Sequence, residues 1–307
     1  MQTITAIVHT KNSEKTLDAC LSSLEWCNEV FVVDMASTDA TIHIAKKHKA
    51  TIFHVTSNER FADPIRQEYL KKVTTDWTLI IDSDEEVPVT LANKISELML
   101  TQGVDGYSLP RKNIIFGKWI QHSGFWPDYI VRLFKTGKGS YPPYVHVQPT
   151  IEGVSQKLQA DEKFAIVHHH YDSIEQFILR LNVYTSLEAK KLVELHAKNP
   201  QDYVLPTTHF LQEFFNQFFS RYFDQKGYRD GVYGVILSLL MATYMMIVAM
   251  KVWEITKKEV NISLEDIEQE VTNACQATSY WVANEKLQTE KNALHKLSLK
   301  IRRKLHS

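Results

Sequence analysis

The sequence predicts an α/β protein, a mostly parallel mixed sheet with helices on both faces, followed by a helical C-terminal region. Three observations carry this expectation. The first hundred residues alternate β-branched runs with amphipathic stretches. The run Thr78-Leu79-Ile80-Ile81 flows straight into Asp82-Ser83-Asp84-Glu85-Glu86, as a buried strand does when its end carries charge into a cleft. After Asp172 a helical apolar period takes over. At 307 residues the chain is long enough for one large domain with an appendage, or for two domains.

Taken in order, Ile4 to Val8 reads as a strand, and Ser13 to Leu24 as a helix with a serine cap and Leu17, Leu21 and Leu24 on one stripe. Val30 to Val33 is a second strand ending at Asp34. Ser37-Thr38-Asp39 then caps a helix containing Ile42, Ile44 and Ala45, before a strand over Thr51 to Val55. A helix over Pro64 to Val73 leads into the strand Trp77 to Ile81. In such sheets ligands bind beyond the carboxyl ends of the strands, where Asn12, Asp34 and Asp82 all fall.

Asp82 and Asp84 lie two apart, so extended backbone puts both carboxylates on one side, where they cannot sit close together ionised without a shared cation or proton. Hard oxygen donors suit Mg2+ or Mn2+. The bland alternative is an acidic loop capping a helix; convergence with Asn12 and Asp34 favours the metal-and-phosphate reading. Neither a Walker pattern nor GxGxxG follows the first strand, which argues against P-loop and dinucleotide chemistry. Charge is balanced, 35 basic against 36 acidic residues, so nothing global points to nucleic acid. Cys20, Cys27 and Cys275 form no CxxC pair, which argues against a thiolate metal site. The N-terminus reads as a strand and not as a signal peptide, an expectation of an intracellular protein.

From Gly103 to Val167 short strands are punctuated by Gly, Pro and aromatics, including Phe125-Trp126-Pro127-Asp128 and Tyr141-Pro142-Pro143-Tyr144. Such rings either stack on a sugar or base or simply fill the core. One imidazole of His168-His169-His170 either completes a metal site or is a loop histidine. Beyond, Leu181, Tyr184, Leu187 and Leu195 mark a long helix ending near Asn199-Pro200. Phe210, Phe214, Phe215, Phe218, Phe219, Tyr222 and Phe223 then form a broad helical stripe. Residues 231–250 contain no charge and are long enough to cross a bilayer, although Gly231, Gly234, Ser238 and Thr243 dilute them. Spanning, a buried hairpin and an interfacial helix all fit; neighbouring aromatics and Arg221, Lys226 and Arg229 favour peripheral attachment. The tail opens with the capping box Ser263-Leu264-Glu265-Asp266 and continues with an imperfect heptad seam, which either oligomerises or packs on the body. Between Lys286 and Lys304 it carries seven basic residues and one acid, read either as a solvated helix end or as attraction to anionic lipid.

Several blocks, in order, resemble inverting family-two glycosyltransferases of the GT-A, Rossmann-like fold, and in particular the branch with lipopolysaccharide-core glucosyltransferases. They are Ile7-Val8-His9-Thr10-Lys11-Asn12, Val32-Val33-Asp34 with Ser37-Thr38-Asp39, Arg66, Asp82-Ser83-Asp84-Glu85, Trp126-Pro127-Asp128, Arg132-Leu133-Phe134, Val145-His146, His168 with Tyr171, Asn182-Val183-Tyr184-Thr185, Lys226-Gly227-Tyr228-Arg229-Asp230-Gly231 and Lys251-Val252-Trp253-Glu254. The resemblance covers residues 1 to about 255.

It implies that Asp34 binds the base or ribose of a nucleotide-sugar, with Thr10, Asn12 and Glu14 nearby and Arg66 facing the diphosphate. Asp82 would touch the donor, Trp126 would line the substrate site, and Asp82, Asp84 and His168 would hold Mg2+ or Mn2+. An inverting enzyme also needs a base for the acceptor hydroxyl. Relatives commonly show Val-His-Glu where this chain has Val145-His146-Val147-Gln148, so the expected acid is missing; Asp128 is the first substitute, His146 the second and Glu152 the third.

The resulting expectation is a catalytic domain over 1–200, an aromatic membrane-associating segment over 201–255 and a basic helical tail over 256–307 that is a candidate for homo-oligomerisation. The expected reaction moves a sugar, from a UDP-sugar before other donors, to a lipid-linked or cell-envelope glycan acceptor in lipopolysaccharide biosynthesis. It would run in the cytoplasm at the inner membrane face, without nucleic acid. The rivals are a catalytically impaired scaffold that kept the fold and a DxD phosphotransferase using Asp82 as nucleophile.

Overall fold

The computed structural model of the chain describes residues 2–55, 63–142, 148–196, 209–256 and 261–305. It divides into two compact units: Met1–Trp119 with Phe125–Asp172, and Ile120–Gly124 with Ser173–Ser307.

The first unit begins with β1 (Ile4–Thr10), α1 (Leu17–Ser22), β2 (Glu29–Asp34), α2 (Thr41–Lys47), β3 (Thr51–His54), α3 (Asp63–Leu70) and β4 (Trp77–Asp82). Every residue of β1 is buried because both faces of the strand are covered. Ile4, Ala6 and Val8 face a core with Leu17, Leu21, Leu79 and Ile81. Ile7 faces the other way, toward Phe31, Val33, Tyr69 and Ile80. Strands β1, β2, β3 and β4 are parallel, with His9 opposite Asp82 and Thr10 opposite Asp34. The predicted alternation is therefore present, and Asp34 and Asp82 end their strands. The helix expected from Ser13 starts only at Leu17. Asn12 takes a left-handed backbone (φ 50°), and the Ser13 and Glu14 amides donate to Thr41 Oγ1 and Asp39 Oδ2 instead of entering a helix.

The unit continues through β5 (Glu85–Glu86), α4 (Val89–Leu98), β6 (Gly106–Ile115), β7 (Lys118–Trp119), β8 (Asp128–Lys135), β9 (Gly139–Ser140), β10 (Thr150–Ile151), β11 (Ser155–Lys157) and β12 (Ile166–Tyr171). The main sheet has the order β3-β2-β1-β4-β8-β6-β12-β5, with β7 and β11 on β6; β9 and β10 form a separate pair. Antiparallel β8 joins the parallel half at β4 and carries the mixed half on its other edge. β12 lies between β6 and β5, which brings His168 beside the acidic loop although 84 and 168 are far apart in sequence.

The second unit is helical: α5 (Ile174–His196), α6 (His209–Phe219), a π-turn over Ser220–Asp224, a 3-10 turn over Gly227–Asp230, α7 (Val232–Thr256), α8 (Leu264–Thr289) and α9 (Ala293–Leu305). The expected capping box at Ser263 forms in full. Phe215, Phe218, Phe219, Tyr222 and Phe223 pack on Ala274, Ala277, Trp281 and Val282 of α8, with Phe223 stacked on Trp281 at 6.0 Å. The aromatic stripe therefore has a protein partner in the tail. Among the described residues α7 alone is long and apolar enough to cross a bilayer, and 33% of its most apolar stretch is buried within the protein. Lys251 on α7 donates to Asn182 O and Oδ1, Thr185 Oγ1 and Ser186 Oγ at 2.8–3.0 Å, tying α7 to α5.

Candidate active site

The loops after β1, β2 and β4 are sewn together by short polar side chains. Asn12 Oδ1 accepts from the Thr38 amide at 2.8 Å, and Glu14 Oε2 from the Ala40 amide at 3.1 Å. The Ser13 hydroxyl lies 2.8 Å from that of Ser83, in the middle of the acidic loop. Asn12 and Glu14 thus hold backbone, while Thr10 keeps a buried hydroxyl without a hydrogen-bond partner among the described residues. Asp34 is buried, accepts from the Ser37 amide at 3.2 Å and lies 3.5 Å from His54 Nδ1.

Asp82 and Asp84 have separate surroundings. Arg66 Nη2 donates to Asp82 Oδ1 at 2.6 Å, and Arg132 Nη2 donates to Asp82 Oδ2 and, at 2.8 Å, to Glu85 Oε1. Burial opposes ionisation of Asp82, but Arg132 and Arg66 outweigh it and hold the carboxyl well below the usual carboxylate range. Arg66 also sits over the Tyr141 ring at 5.4 Å. His9, beside this cluster, is kept well below the usual histidine range by burial and then by Arg66, and neither ring nitrogen has a hydrogen-bond partner among the described residues.

Asp84 turns toward His168, whose Nε2 is 3.7 Å from its Oδ1. Asn113, fully buried on β6, donates through Nδ2 to Phe125 O and to Asp128 Oδ2, both at 3.0 Å. Its Oδ1 therefore faces His168 Nδ1 at 2.7 Å, so Nδ1 carries the proton and Nε2 the lone pair. Burial, then His170 and Arg111, hold the ring well below the ordinary histidine value and hence neutral. A lone-pair nitrogen and a carboxylate oxygen face each other beyond hydrogen-bond reach. Two acceptors across such a gap suit a divalent cation with one carboxylate and one imidazole ligand, the remaining positions going to water or substrate oxygens. Among the described residues no group of three or more His, Cys, Asp or Glu side chains is arranged around one ion, so the expected set of Asp82, Asp84 and His168 is brought together here only as the Asp84–His168 pair.

Asp128 stands on the other side of Asn113. Its Oδ2 accepts from Arg111 Nε at 3.0 Å, from Arg111 Nη2 at 2.6 Å and from Asn113; Oδ1 takes none of these bonds. Trp126 meets Trp119 edge-on at 5.4 Å, and Lys112 Nζ lies 4.5 Å over the Trp119 ring. Gln148 bonds the β8 edge, accepting from the Val131 amide at 3.2 Å. His146 lies outside the described residues. Sequence reasoning gave no role to Arg111, Asn113 or Arg132; the available signal was a charged residue inside an apolar strand, as in Ile130-Val131-Arg132-Leu133-Phe134.

The sheet order, with an acidic loop after the fourth strand and a mixed half beyond it, is that of the GT-A fold. The chain belongs to glycosyl transferase family 2, whose model matches residues 5–169. It is 26% identical over 269 residues to the lipopolysaccharide core biosynthesis glycosyltransferase LpsC of Rhizobium meliloti, covering 82% of this chain and 92% of that protein. An uncharacterized glycosyltransferase of Rickettsia conorii is 26% identical over 87% of this chain and 95% of its own. Among solved structures, residues 1–349 of TarS from S. aureus align over 85% of this chain and 94% of that one, with 13% identity and a TM-score of 0.42. Glucosyl-3-phosphoglycerate synthase of Mycobacterium tuberculosis, solved with Mn2+ and UDP, aligns over 36% of this chain and 43% of its own, with 20% identity and a TM-score of 0.31.

Proposed function

We propose that this glycosyltransferase is metal-dependent and inverting, and moves a sugar from a UDP-sugar to a lipid-linked or cell-envelope glycan acceptor at the cytoplasmic face of the membrane. The observation that carries the chemistry is the Asn113 bridge, which sets His168 Nε2 against Asp84 on one side and anchors Asp128 on the other. The acceptor class follows the lipopolysaccharide-core role in the name of the Rhizobium meliloti relative.

Asp84 and His168 would hold Mg2+ or Mn2+, which would supply positive charge for the departing nucleoside diphosphate. Asp82, kept ionised and oriented by Arg66 and Arg132, turns to the sugar and ribose of the donor, while Arg66 supplies fixed positive charge at the diphosphate. Asp34 takes the base or ribose, with Thr10, Asn12 and Glu14 shaping the loops around it, and Trp126 offers an aromatic wall to a sugar. Asp128 Oδ1 accepts the proton of the acceptor hydroxyl, Oδ2 remaining fixed by Arg111 and Asn113. Residues 1–200 carry this chemistry, 201–255 and 256–307 the attachment and any self-association.

Asp128→Asn tests the assignment. It should lower transfer by about 10²–10⁴-fold with binding of the nucleotide unchanged; retained transfer removes Asp128 as base, and lost nucleotide binding makes it a donor-site residue instead.

A further inference from the structure

Helix α9 is built the wrong way round for a helix that serves only its own protein. An amphipathic surface helix ordinarily turns its apolar stripe to the core and its charges to water. In α9 the one buried side chain is Leu299, and Arg302 and Arg303 point back to α8, donating to Ser279 Oγ at 3.4 Å and Asn284 Oδ1 at 3.1 Å. Leu294, Leu297, Ile301 and Leu305 follow at spacings of three and four, on one stripe, and are 81%, 56%, 54% and 74% exposed. That stripe faces away from α8, because Leu299 lies on the opposite side of a helix with 3.6 residues per turn. Lys300 and Lys304 flank the stripe along one side, Lys296 and Arg303 lie on the side of Leu299, and no acidic residue occurs between Ala293 and Leu305.

We infer that α9 is the membrane-contacting element of this protein, lying in the headgroup plane of an anionic bilayer with Leu294, Leu297, Ile301 and Leu305 in the acyl boundary. The occupant of the stripe has to be apolar inside and negatively charged at its surface, and a bilayer containing anionic lipid is both. A second copy of the chain is a poor fit, since pairing two such stripes brings Lys300 and Lys304 of both copies together, four cations of like sign. The inference fixes the element behind the membrane-face part of the proposed function, on which it rests, and is independent of the transfer chemistry. It also moves the contact away from the aromatic stripe of 210–223, which α8 covers.

The test is co-sedimentation of the full chain with vesicles of phosphatidylglycerol and phosphatidylethanolamine, and with vesicles of phosphatidylcholine alone, at low and high salt. Leu297→Glu/Ile301→Glu and Lys300→Gln/Lys304→Gln serve as variants, and all four positions are exposed, so the fold is not at stake. Wild-type protein should bind the anionic vesicles in a salt-sensitive way, and each double variant should bind about tenfold more weakly or worse. Wild-type protein that ignores anionic vesicles overturns the inference, as do variants that bind as well as wild type. So does a stripe variant that changes only the oligomeric state or the capture of an acidic protein. UDP binding with Mn2+, measured on the same samples, keeps the two readings apart: if it persists where vesicle binding is absent, the α9 inference alone fails.

Discussion

Replacing Arg132 by methionine removes the cation that the buried Glu85 and the partly buried Asp82 share. Arg132 is 1% exposed, Glu85 is fully buried, and the guanidinium reaches Asp82 and Glu85 through a single nitrogen. Taking one partner from a buried ion pair costs about 3–5 kcal/mol, because the remaining charge stays desolvated. Here each carboxylate keeps a second cation, Arg66 at 2.6 Å for Asp82 and Arg111 at 3.3 Å for Glu85, which places the loss near the lower figure, about 3 kcal/mol. The assay is native-state hydrogen exchange at the Leu79 and Leu133 amides, on the paired strands β4 and β8 that carry these side chains. A loss of about 3 kcal/mol accelerates exchange through opening of this region by roughly a hundredfold. Adding Glu85→Gln removes the second buried charge and should recover part of the loss. A change below about 1 kcal/mol, the worth of an exposed bridge, would refute the reasoning.

Asn113→Leu should weaken Mn2+-dependent UDP binding by about 10–100-fold, the usual cost of removing the outer partner of a metal-binding histidine, with Asn113→Asp milder because it keeps an acceptor for His168; isothermal titration reads both, and unchanged affinity would show that Asn113 does not orient the site. Gly234→Ala should destabilise the helical unit by about 1–3 kcal/mol in urea unfolding, although alanine in a helix ordinarily gains about 1 kcal/mol. A Cβ at Gly234 would stand 1.7 Å from Gly227 O, in the turn preceding α7, and neither backbone can yield without moving the other.

The strands that end at Asp34 and Asp82 were legible because β-branched runs and the acids that stop them are local signals. The site as a whole was less so. Asn113 and Arg132 act on partners 55 and 47 residues away, the first across the parallel pairing of β6 with β12 and the second between strands that are not paired, which no local period encodes. Asp84 and Asp82 sit two apart in sequence, yet Ser83 bonded to Ser13 and the turn into β5 send their side chains to different partners, where extended geometry had put them side by side. The helical half shows the same limit. The stripe from Phe210 to Phe223 reads as an outward face only while its partner is unknown; Trp281 and Ala274 of α8 lie some sixty residues on. The capping box at Ser263 was readable in four residues because all its bonds are made within them.

The most direct measurement is calorimetric titration of the full chain with UDP, with Mn2+ and with chelator, for the wild type and for Asp84→Ala. UDP should bind with Mn2+, lose that binding with chelator, and lose it again in Asp84→Ala while the protein stays folded. UDP binding that ignores both the metal and Asp84, or no binding at all, would contradict a donor site built on Asp84 and His168.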